Sequence, residues 1–397
     1  MITTVYLIRH GEAEGNLYRR IHGQYDSLIT PDGHRQIAAL AARFQNVHVD
    51  ACWSSDLTRA RTTARAIYVP RGLELHTDVR FREIGMGIWE DMPFGEVNRD
   101  WSAQLQTYNR DLISWELPGS EPFAAFTDRF LKGLQDVAAQ NAGRTVCIVA
   151  HGGIIRNALH ELFFQGQPWN AVGQSDNTGV SRLEYEDGSW HLCYHNDNSH
   201  LPPELSTAAR LAKADGRDRD MWFRPVDASE MLRYIRFRQD AWEHVYNTTQ
   251  GFDGPAFWRD ALRTTGGTPD AMVFAVLGTE VVGILQMNPL QGAVDGIGYI
   301  PFIYLREPYR GRGLGVQLIG QAVSFYRKRG RTRLQLSVAP CNTHAIHFYQ
   351  KYGFILSGKT KGSFSTLHLM DLDIDLTRWQ EGARADARTR FLRRFRS

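Results

Sequence analysis

Short apolar runs recur along this chain with longer segments of mixed polarity between them. Val5–Ile8 in TTVYLI and Val146–Ala150 in TVCIVA are β-branched, too short for helices and bounded by polar residues, so each reads as a buried strand. Segments such as SDLTRARTTA carry helical spacing instead. The alternation predicts an α/β fold. It breaks once, over NDNSHLPPELSTAARLAKADGRDRD (Asn196–Asp220), where two adjacent prolines, small polar residues and alternating charges replace large apolar groups. Beyond it the pattern restarts. A strand end and a long amphipathic helix fill RPVDASEMLRYIRFRQDAW, and AMVFAVLGTEVVGILQM reads as two strands around a turn at Gly278. A strand over Phe302–Leu305 follows, then a helix with Val316, Ile319, Ala322, Val323 and Tyr326 on one face. LQLSVAP alternates as a strand, and CNTHAIHFYQKYGF reads as a helix stopped by Gly353. The expected organisation is a first domain over 1–200, a linker over 201–220, a second domain over 221–376 and a tail over 377–397.

Composition adds limits. At 397 residues the chain exceeds what one ordinary core organises, which agrees with two domains. A hydrophobic share of 43% and a charged share of 22% are globular values and exclude a disordered chain. No apolar run approaches the roughly 20 residues of a membrane-crossing helix, and the opening MITTVYLIRHGE lacks secretory signal features, so a cytoplasmic protein is expected. Cys52, Cys147, Cys193 and Cys341 lie far apart in sequence without a CxxC pair, which predicts reduced thiols. The net charge of +3 is concentrated in the tail, where six arginines face Glu381 and Asp386. That distribution gives no nucleic-acid footprint and reads as a solvated helix end. The expected partners are therefore small-molecule substrates, with no nucleic acid and no membrane, and with room for a homodimer.

In the first domain each strand run ends in a histidine followed by glycine: Arg9, His10, Gly11 and Glu12 after the first, His151, Gly152 and Gly153 after the second. The carboxyl edge of a parallel sheet is where ligands collect, so both imidazoles can reach one crevice. The blocks LIRHGEAEGN, HGQYDSLITPDGHRQ, SSDLTRARTTA, REIGMGIWED and IVAHGGIIRNAL, in that order, resemble the histidine phosphatase (phosphoglycerate-mutase-like) superfamily over about residues 1–200. The resemblance implies a three-layer α/β/α domain in which His10 is the nucleophile that becomes phosphorylated. It implies that Arg9, Arg59 and His151, with Gly152, grip the phosphoryl oxygens, that Glu83 is the proton donor, and that Asn16 and Gln24 line the pocket. The chemistry agrees. A phosphoryl group in transfer spreads negative charge over three oxygens, and an arginine fork binds two of them while staying charged. His10 must attack through an unprotonated nitrogen, so its other nitrogen should donate to a nearby carbonyl. Glu83 needs a raised carboxyl pKa, which substrate charge would restore against the crowded arginines. No metal is called for, since these cations already supply positive charge.

Departures from the family pattern fall at Ala13, at Leu28, Ile29 and Thr30, and at Gly119, Ser120 and Glu121, and bear on pocket entry and substrate. The span from Glu83 to His151, with Trp89, Trp101, Trp115 and Pro118, reads as a substrate cap too short for a mutase that retains a bisphosphate. Hydrolysis is expected rather than phosphoglycerate-mutase-type phosphotransfer.

In the second domain, Pro308 leads into Arg310, Gly311, Arg312, Gly313, Leu314 and Gly315 between a strand and a helix. Glycines there bare successive amides at a helix start that favours anions, which suits a pyrophosphate. The spacing is GxGxG rather than GxGxxG, which argues against a dinucleotide fold. With the downstream Asn342, Phe348-Tyr349 and Gly353-Phe354 pattern, these blocks resemble the GNAT superfamily of N-acetyltransferases over about residues 221–376. That resemblance implies an α/β domain with a mixed, splayed central sheet and acetyl-CoA as cosubstrate. Amides from Arg312 to Gly315 would cradle the pyrophosphate, Phe302, Ile303, Tyr304 and Leu305 would pair with the pantetheine arm, Asn342 would contact the cofactor, and Tyr349 would protonate the departing thiolate. GIGYIPFIYL holds no acidic residue, and Asp295, water or a backbone carbonyl remain as routes for the amine proton. GFILSGKT (Gly353–Thr360) satisfies the Walker A letters but follows a helix and precedes strand-like alternation, so no phosphate loop is expected.

The sequence thus predicts a bifunctional enzyme, a histidine phosphatase joined to an N-acetyltransferase, acting on small metabolites of one pathway. The alternatives are an active phosphatase with a regulatory CoA-sensing domain, or a phosphoglycerate-mutase-type phosphotransferase.

Overall fold

A computed structural model describes residues 1–213, 219–362 and 365–377. The arginine-rich tail, read above as a solvated helix end, lies outside the described residues. The first domain runs β1 (Thr3–Arg9), α1 (Glu14–Tyr18), α2 (Pro31–Arg43), β2 (Ala51–Ser54), α3 (Thr58–Arg71), β3 (Leu75–Thr77), α4 (Phe94–Asp100), α5 (Ser102–Arg110), α6 (Phe123–Gln140), β4 (Thr145–Ala150), α7 (Gly152–Phe163), β5 (Val180–Glu186) and β6 (Ser189–Asp197). Its sheet has the order β3-β2-β4-β1-β5-β6. The four strands β3, β2, β4 and β1 are parallel, and β5 and β6 add antiparallel. Both faces are covered, which explains the unbroken apolar runs. Val5, Leu7, Val146 and Ile148 face α6 and α7 in one core, whereas Ile8, Cys147 and Val149 face α2 and α3 in the other. The register sets Cys52 directly beside Cys147. Positions distant in sequence are therefore neighbours, and both are buried free thiols.

Residues 201–213, expected as linker, are packed on the first domain and include α8 (Thr207–Lys213). Leu201 and Leu205 are buried, Ser206 donates to Asp176, and Gln36 donates to the Leu205 carbonyl. Two leucines in a polar stretch suffice to seat it.

The second domain continues with β7 (Trp222–Pro225), α9 (Met231–Tyr246), α10 (Gly254–Thr265), β8 (Met272–Leu277), β9 (Glu280–Asn288), β10 (Ile297–Leu305), α11 (Gly315–Arg327), β11 (Arg333–Val338), α12 (Thr343–Lys351), β12 (Ile355–Lys361) and β13 (Thr366–Asp373). Its seven-stranded mixed sheet has the order β12-β13-β11-β10-β9-β8-β7. Only β10 and β11 run parallel, and their pairing stops at Ile300↔Leu336. Beyond that point β10 pairs with β9 alone, from Phe302↔Gln286 to Leu305↔Gly283. The sheet is splayed there. A bulge between Tyr299 and Phe302 shifts the alternation, so Ile300 and Ile303 join the core under α11 while Phe302 and Tyr304 join the one under α9. Lys359 lies within β12, paired to His368, so the Walker-like letters form a strand.

The domains are joined through α1 and α11. Tyr18 packs against Gly320, where an added Cβ would fall 2.4 Å from the Tyr18 Cβ. Arg327 grips Glu14 through two hydrogen bonds of 2.6 and 2.9 Å, with both side chains 8% exposed. Nearby, Arg20 holds Asp91 at 2.8 Å and reaches Ser324 and Gln321 of α11. Removing one partner of a buried pair strands the other charge and costs about 3–5 kcal/mol, whereas neutralising both is far cheaper. Arg327→Met should therefore lower stability by about that much, and the Glu14→Gln, Arg327→Met double variant should recover most of it. Thermal unfolding of the full chain checks this. Equal midpoints for wild type and single variant would refute it.

Candidate functional site

His10 and His151 follow the ends of β1 and β4, which are hydrogen-bonded neighbours, and this alone brings the two rings to 5.1 Å between centroids. His10 Nδ1 lies 2.7 Å from the Gly11 carbonyl, which can only accept, so the ring donates there and Nε2 is the free nitrogen. Burial, then Arg59 and Arg9, push the His10 pKa well below its ordinary value and keep that nitrogen unprotonated. His151 is lowered well below it too, by burial and then by Arg59 and His10. Arg59 Nε donates to His151 Nδ1 at 3.3 Å, so the ring proton sits on Nε2, which is buried without a partner among the described residues.

Arg59 is only 2% exposed, not the solvated helix residue that its local pattern alone suggests. It opens α3 and donates to the carbonyls of Gly23 and Tyr25. Arg9 donates to the Ser175 carbonyl and keeps a buried Nε without a partner among the described residues. Among the described residues neither guanidinium is ion-paired to a carboxylate, though Asp176 and Asp26 act on them at longer range, and burial depresses the pKa of both. Glu83 accepts the Gly153 amide at 2.8 Å, and a Cβ at Gly153 would come 2.7 Å from its Oε1, so glycine is required for this approach. Gly152 is likewise close to Arg9, with an added Cβ 3.1 Å from its Nε.

Asn16, on α1, accepts the Ala13 amide, and Gln24 donates to the Glu83 carbonyl at 3.2 Å. Gln24 also lines a cleft of about 540 Å³ with Gly85, Gly87, Glu90, Gly119 and Glu121. Trp89 and Trp115 pack ring to ring beneath it rather than lining it, with centroids 5.6 Å apart. The loop before β5 completes the surroundings. Asn177 donates to the His10 carbonyl at 3.0 Å, and Thr178, with φ of 58°, donates its amide to the same oxygen. Sequence reasoning passed over this SDNTG segment, whose polar run directly before a strand was the available signal.

In the second domain the glycine loop lies between β10 and α11. Gly311 and Gly313 have φ of 71° and 76°, a region that disfavours side chains, and nothing lies within 4 Å of a Cβ built on either. Leu314 is buried and anchors the loop, while Gly311, Arg312 and Gly313 are exposed. The edge of β10 that β11 leaves unpaired, over Phe302–Leu305, offers backbone groups to an extended ligand arm. These features fit a pantetheine-pyrophosphate chain. Of the four residues only Ile303 and Leu305 turn their side chains toward α11, since Phe302 and Tyr304 are packed under α9. Tyr349 is buried against Phe348 and Phe354, and burial raises its pKa, keeping the phenol protonated. Asn342 caps α12, its side-chain oxygen accepting the Ala345 amide at 3.2 Å. Helix capping thus occupies that oxygen. Asp295 lies exposed in the short turn before β10. Among the described residues no group of histidine, cysteine and carboxylate side chains could hold a metal, and no helix is long and apolar enough to cross a membrane.

Residues 5–198 match the model of the histidine phosphatase superfamily (branch 1), and residues 232–354 that of the acetyltransferase (GNAT) family. "Probable phosphoglycerate mutase GpmB" of Yersinia pestis (strain Pestoides F) is 32% identical over 191 residues, covering 47% of this chain and 86% of that protein. Its namesake from Shigella boydii is 31% identical over 190 residues, with the same coverage. Among solved structures, Bacillus stearothermophilus YhfR has 28% identity and a TM-score of 0.48, covering 50% of this chain and 100% of its own. The paired histidines with their arginines, and the glycine loop beside a splayed strand, thus sit in two segments with separate relatives. The chain belongs to the histidine phosphatase superfamily and carries, behind that domain, a second one of the GNAT acetyltransferase family.

Proposed function

We propose that the protein is a bifunctional enzyme that hydrolyses a phosphomonoester through a phosphohistidine and transfers an acetyl group from acetyl-CoA to an amine, on small metabolites of one pathway. The single observation that carries the first half is the free Nε2 of His10, held by its Nδ1 bond to Gly11 in a pocket whose guanidinium groups are ion-paired to no carboxylate among the described residues. His10 Nε2 attacks phosphorus as the ester oxygen departs. Arg9, Arg59 and the Nε2 proton of His151 bind the equatorial oxygens, and their arrangement in advance supplies most of the stabilisation. Glu83 protonates the leaving alkoxide, then takes a proton from the water that cleaves the N–P bond. Gln24 and Asn16 border the substrate. The short cap, built from α4 and α5, favours water over a retained bisphosphate as phosphoryl acceptor.

In the second domain, acetyl-CoA supplies the acyl thioester. Amides of Arg312–Gly315 hold its pyrophosphate at the start of α11, and the unpaired edge of β10 orients its arm. The amine attacks the thioester carbon, the C–S bond breaks, Tyr349, kept neutral by burial, gives its proton to the departing thiolate, and the amine's proton passes to water. Small-molecule substrates, rather than nucleic acid or a membrane, suit both sites.

The purified chain is tested on para-nitrophenyl phosphate without added metal, and on acetyl-CoA with an amine panel while thiol release is followed. Both products are expected. Acetyl-CoA binding without acetylation of any amine would instead favour the CoA-sensing role, and phosphate transfer between phosphoglycerates in place of release would favour the mutase. For the loop, Gly313→Val forces a β-branched residue to φ of 76° and covers the amides, so KM for acetyl-CoA should rise about tenfold or more while phosphate release is unchanged. An unaltered KM would remove the loop from the cofactor site.

A further inference from the structure

Among the described residues, burial lowers the pKa of four arginines: Arg9, Arg59, Arg156 and Arg238. The first two form the phosphate pocket. Arg238 lies in the other domain, on the inward face of α9, and no function above uses it. Its Nε donates to the Tyr234 hydroxyl and its Nη2 to Gln286 Oε1, both at 2.9 Å. Its guanidinium lies 3.9 Å from the Phe302 ring centroid and 5.0 Å from that of Phe257. Tyr234 donates to the same Gln286 oxygen at 2.9 Å, and Gln286 donates to Thr264, so the partners are themselves fixed. Among the described residues no carboxylate pairs with Arg238, whereas Arg224 on β7 of the same domain holds Glu230, and Arg327 holds Glu14. Asp260 acts on Arg238 only at longer range and is paired with Arg263. Its Nη1 has no partner among the described residues and is not sealed from solvent, so the fork, fixed on its other side, stays open to an anion arriving from outside.

Its place in the fold says which anion. Phe302 is the first β10 residue beyond the bulge, where pairing to β11 has ended. Tyr299, just before the bulge, reaches across to Ser337 of β11 with 3.0 Å between the two hydroxyl oxygens. Arg238 therefore flanks the splay from the α9 side, while the glycine loop, α11 and Tyr349 flank it from the other. On the acetyltransferase reading, with the cosubstrate arm on the unpaired β10 edge beside the glycine loop, the α9 side is the one left for the acceptor.

We propose that Arg238 recognises an oxyanion, carboxylate or phosphate, on the acetyl acceptor, which is thus an anionic amine. The planar fork, pressed on Phe302, presents Nη1 and the remaining Nη2 proton to two oxygens at once. This rests on the acetyltransferase reading and narrows its substrate class.

The test uses full-length protein and three acceptors differing only in the group opposite the amine: β-alanine, phosphoethanolamine and ethanolamine. In wild type, kcat/KM for one or both anionic amines should exceed that for ethanolamine by about tenfold or more, through KM. In Arg238→Met, which keeps the packing on Phe302, the ratio should fall to about one. Arg238→Lys should restore part of it. Whichever anionic amine shows the larger ratio identifies carboxylate or phosphate. Equal use of all three by wild type, or a parallel loss for all three in Arg238→Met, would overturn the proposal. Calorimetry with the three N-acetylated compounds separates this from the underlying reading. If wild type transfers no acetyl group, the acetyltransferase reading fails, yet Arg238-dependent binding of the anionic compounds alone still supports the oxyanion site, and its absence refutes it.

Discussion

Replacing His10 with alanine is expected to abolish phosphate release, lowering kcat by about 10³-fold or more, and to remove the phosphoenzyme altogether. The size follows from what the site lacks once the imidazole is gone. Arg9, Arg59 and His151 would still gather the phosphoryl oxygens, but none of the three offers a nucleophile: the guanidinium groups are charged, and the free His151 nitrogen carries its proton because Arg59 donates to the other. The remaining path is direct attack by water, without the step that splits the reaction in two. Rapid-quench capture of labelled protein, with phosphate release on the same sample, makes the measurement. Thermal unfolding of the variant, compared with wild type, serves as the folding control. A His10→Ala protein that still formed an acid-labile phosphoenzyme would place the nucleophile elsewhere. Arg59→Ala should cost less, because Arg9 and His151 remain, and should appear in KM as well as kcat.

Much of this pocket was legible in sequence because strand ends are legible. Val5–Ile8 and Val146–Ala150 could only be buried strands, and a histidine and glycine after each could only stand at the sheet's carboxyl edge. The glycine loop was visible for the same reason, as it stands between a recognisable strand and helix. Arg59 was legible only through the family resemblance, since SDLTRARTTA by itself offers two arginines, and the one turned inward is decided by the carbonyls of Gly23 and Tyr25 on a distant loop. Arg238 repeats the case. RYIRFRQD looks like a charged helix face, and only the packing of Phe302 after the β10 bulge selects the arginine that is enclosed. The domain interface was the least visible part. Arg20, Asp91 and Ser324 come together from three separate segments, and each alone resembles an ordinary surface residue. Residues 201–213 show the converse: their polar composition suggested a free linker, yet Leu201, Leu205 and Ser206 fasten them to the first domain.

The same burial that prepares the nucleophile should make the protein acid-labile well above the carboxylate range. His10, His22 and His151 are all lowered far below the ordinary 6.5, each chiefly by burial and next by Arg59. Above that pH both folded and unfolded chains leave these rings neutral, so they add no pH dependence. As pH falls below it, the unfolded chain takes up three protons that the folded chain refuses, and stability declines until the folded pKa values are reached. The slope is about 1.4 kcal/mol per pH unit for each ring, or about 4 for the three together. His200, lowered to about 4, and His195, lowered by burial, add two further contributions over part of the window. Glu12 and Glu96, raised by burial, act with the opposite sign, but only as pH approaches their own range. Chemical denaturation at pH 7.5, 6.5, 5.5 and 5.0 should therefore show a flat region followed by a steep fall in the first domain. His22→Gln provides the discriminating variant, since it removes one of the three protons without touching the nucleophile: the slope should drop by about a third. A stability independent of pH down to 5 would mean that these rings are not held neutral, and would remove the physical basis for a ready nucleophile at His10.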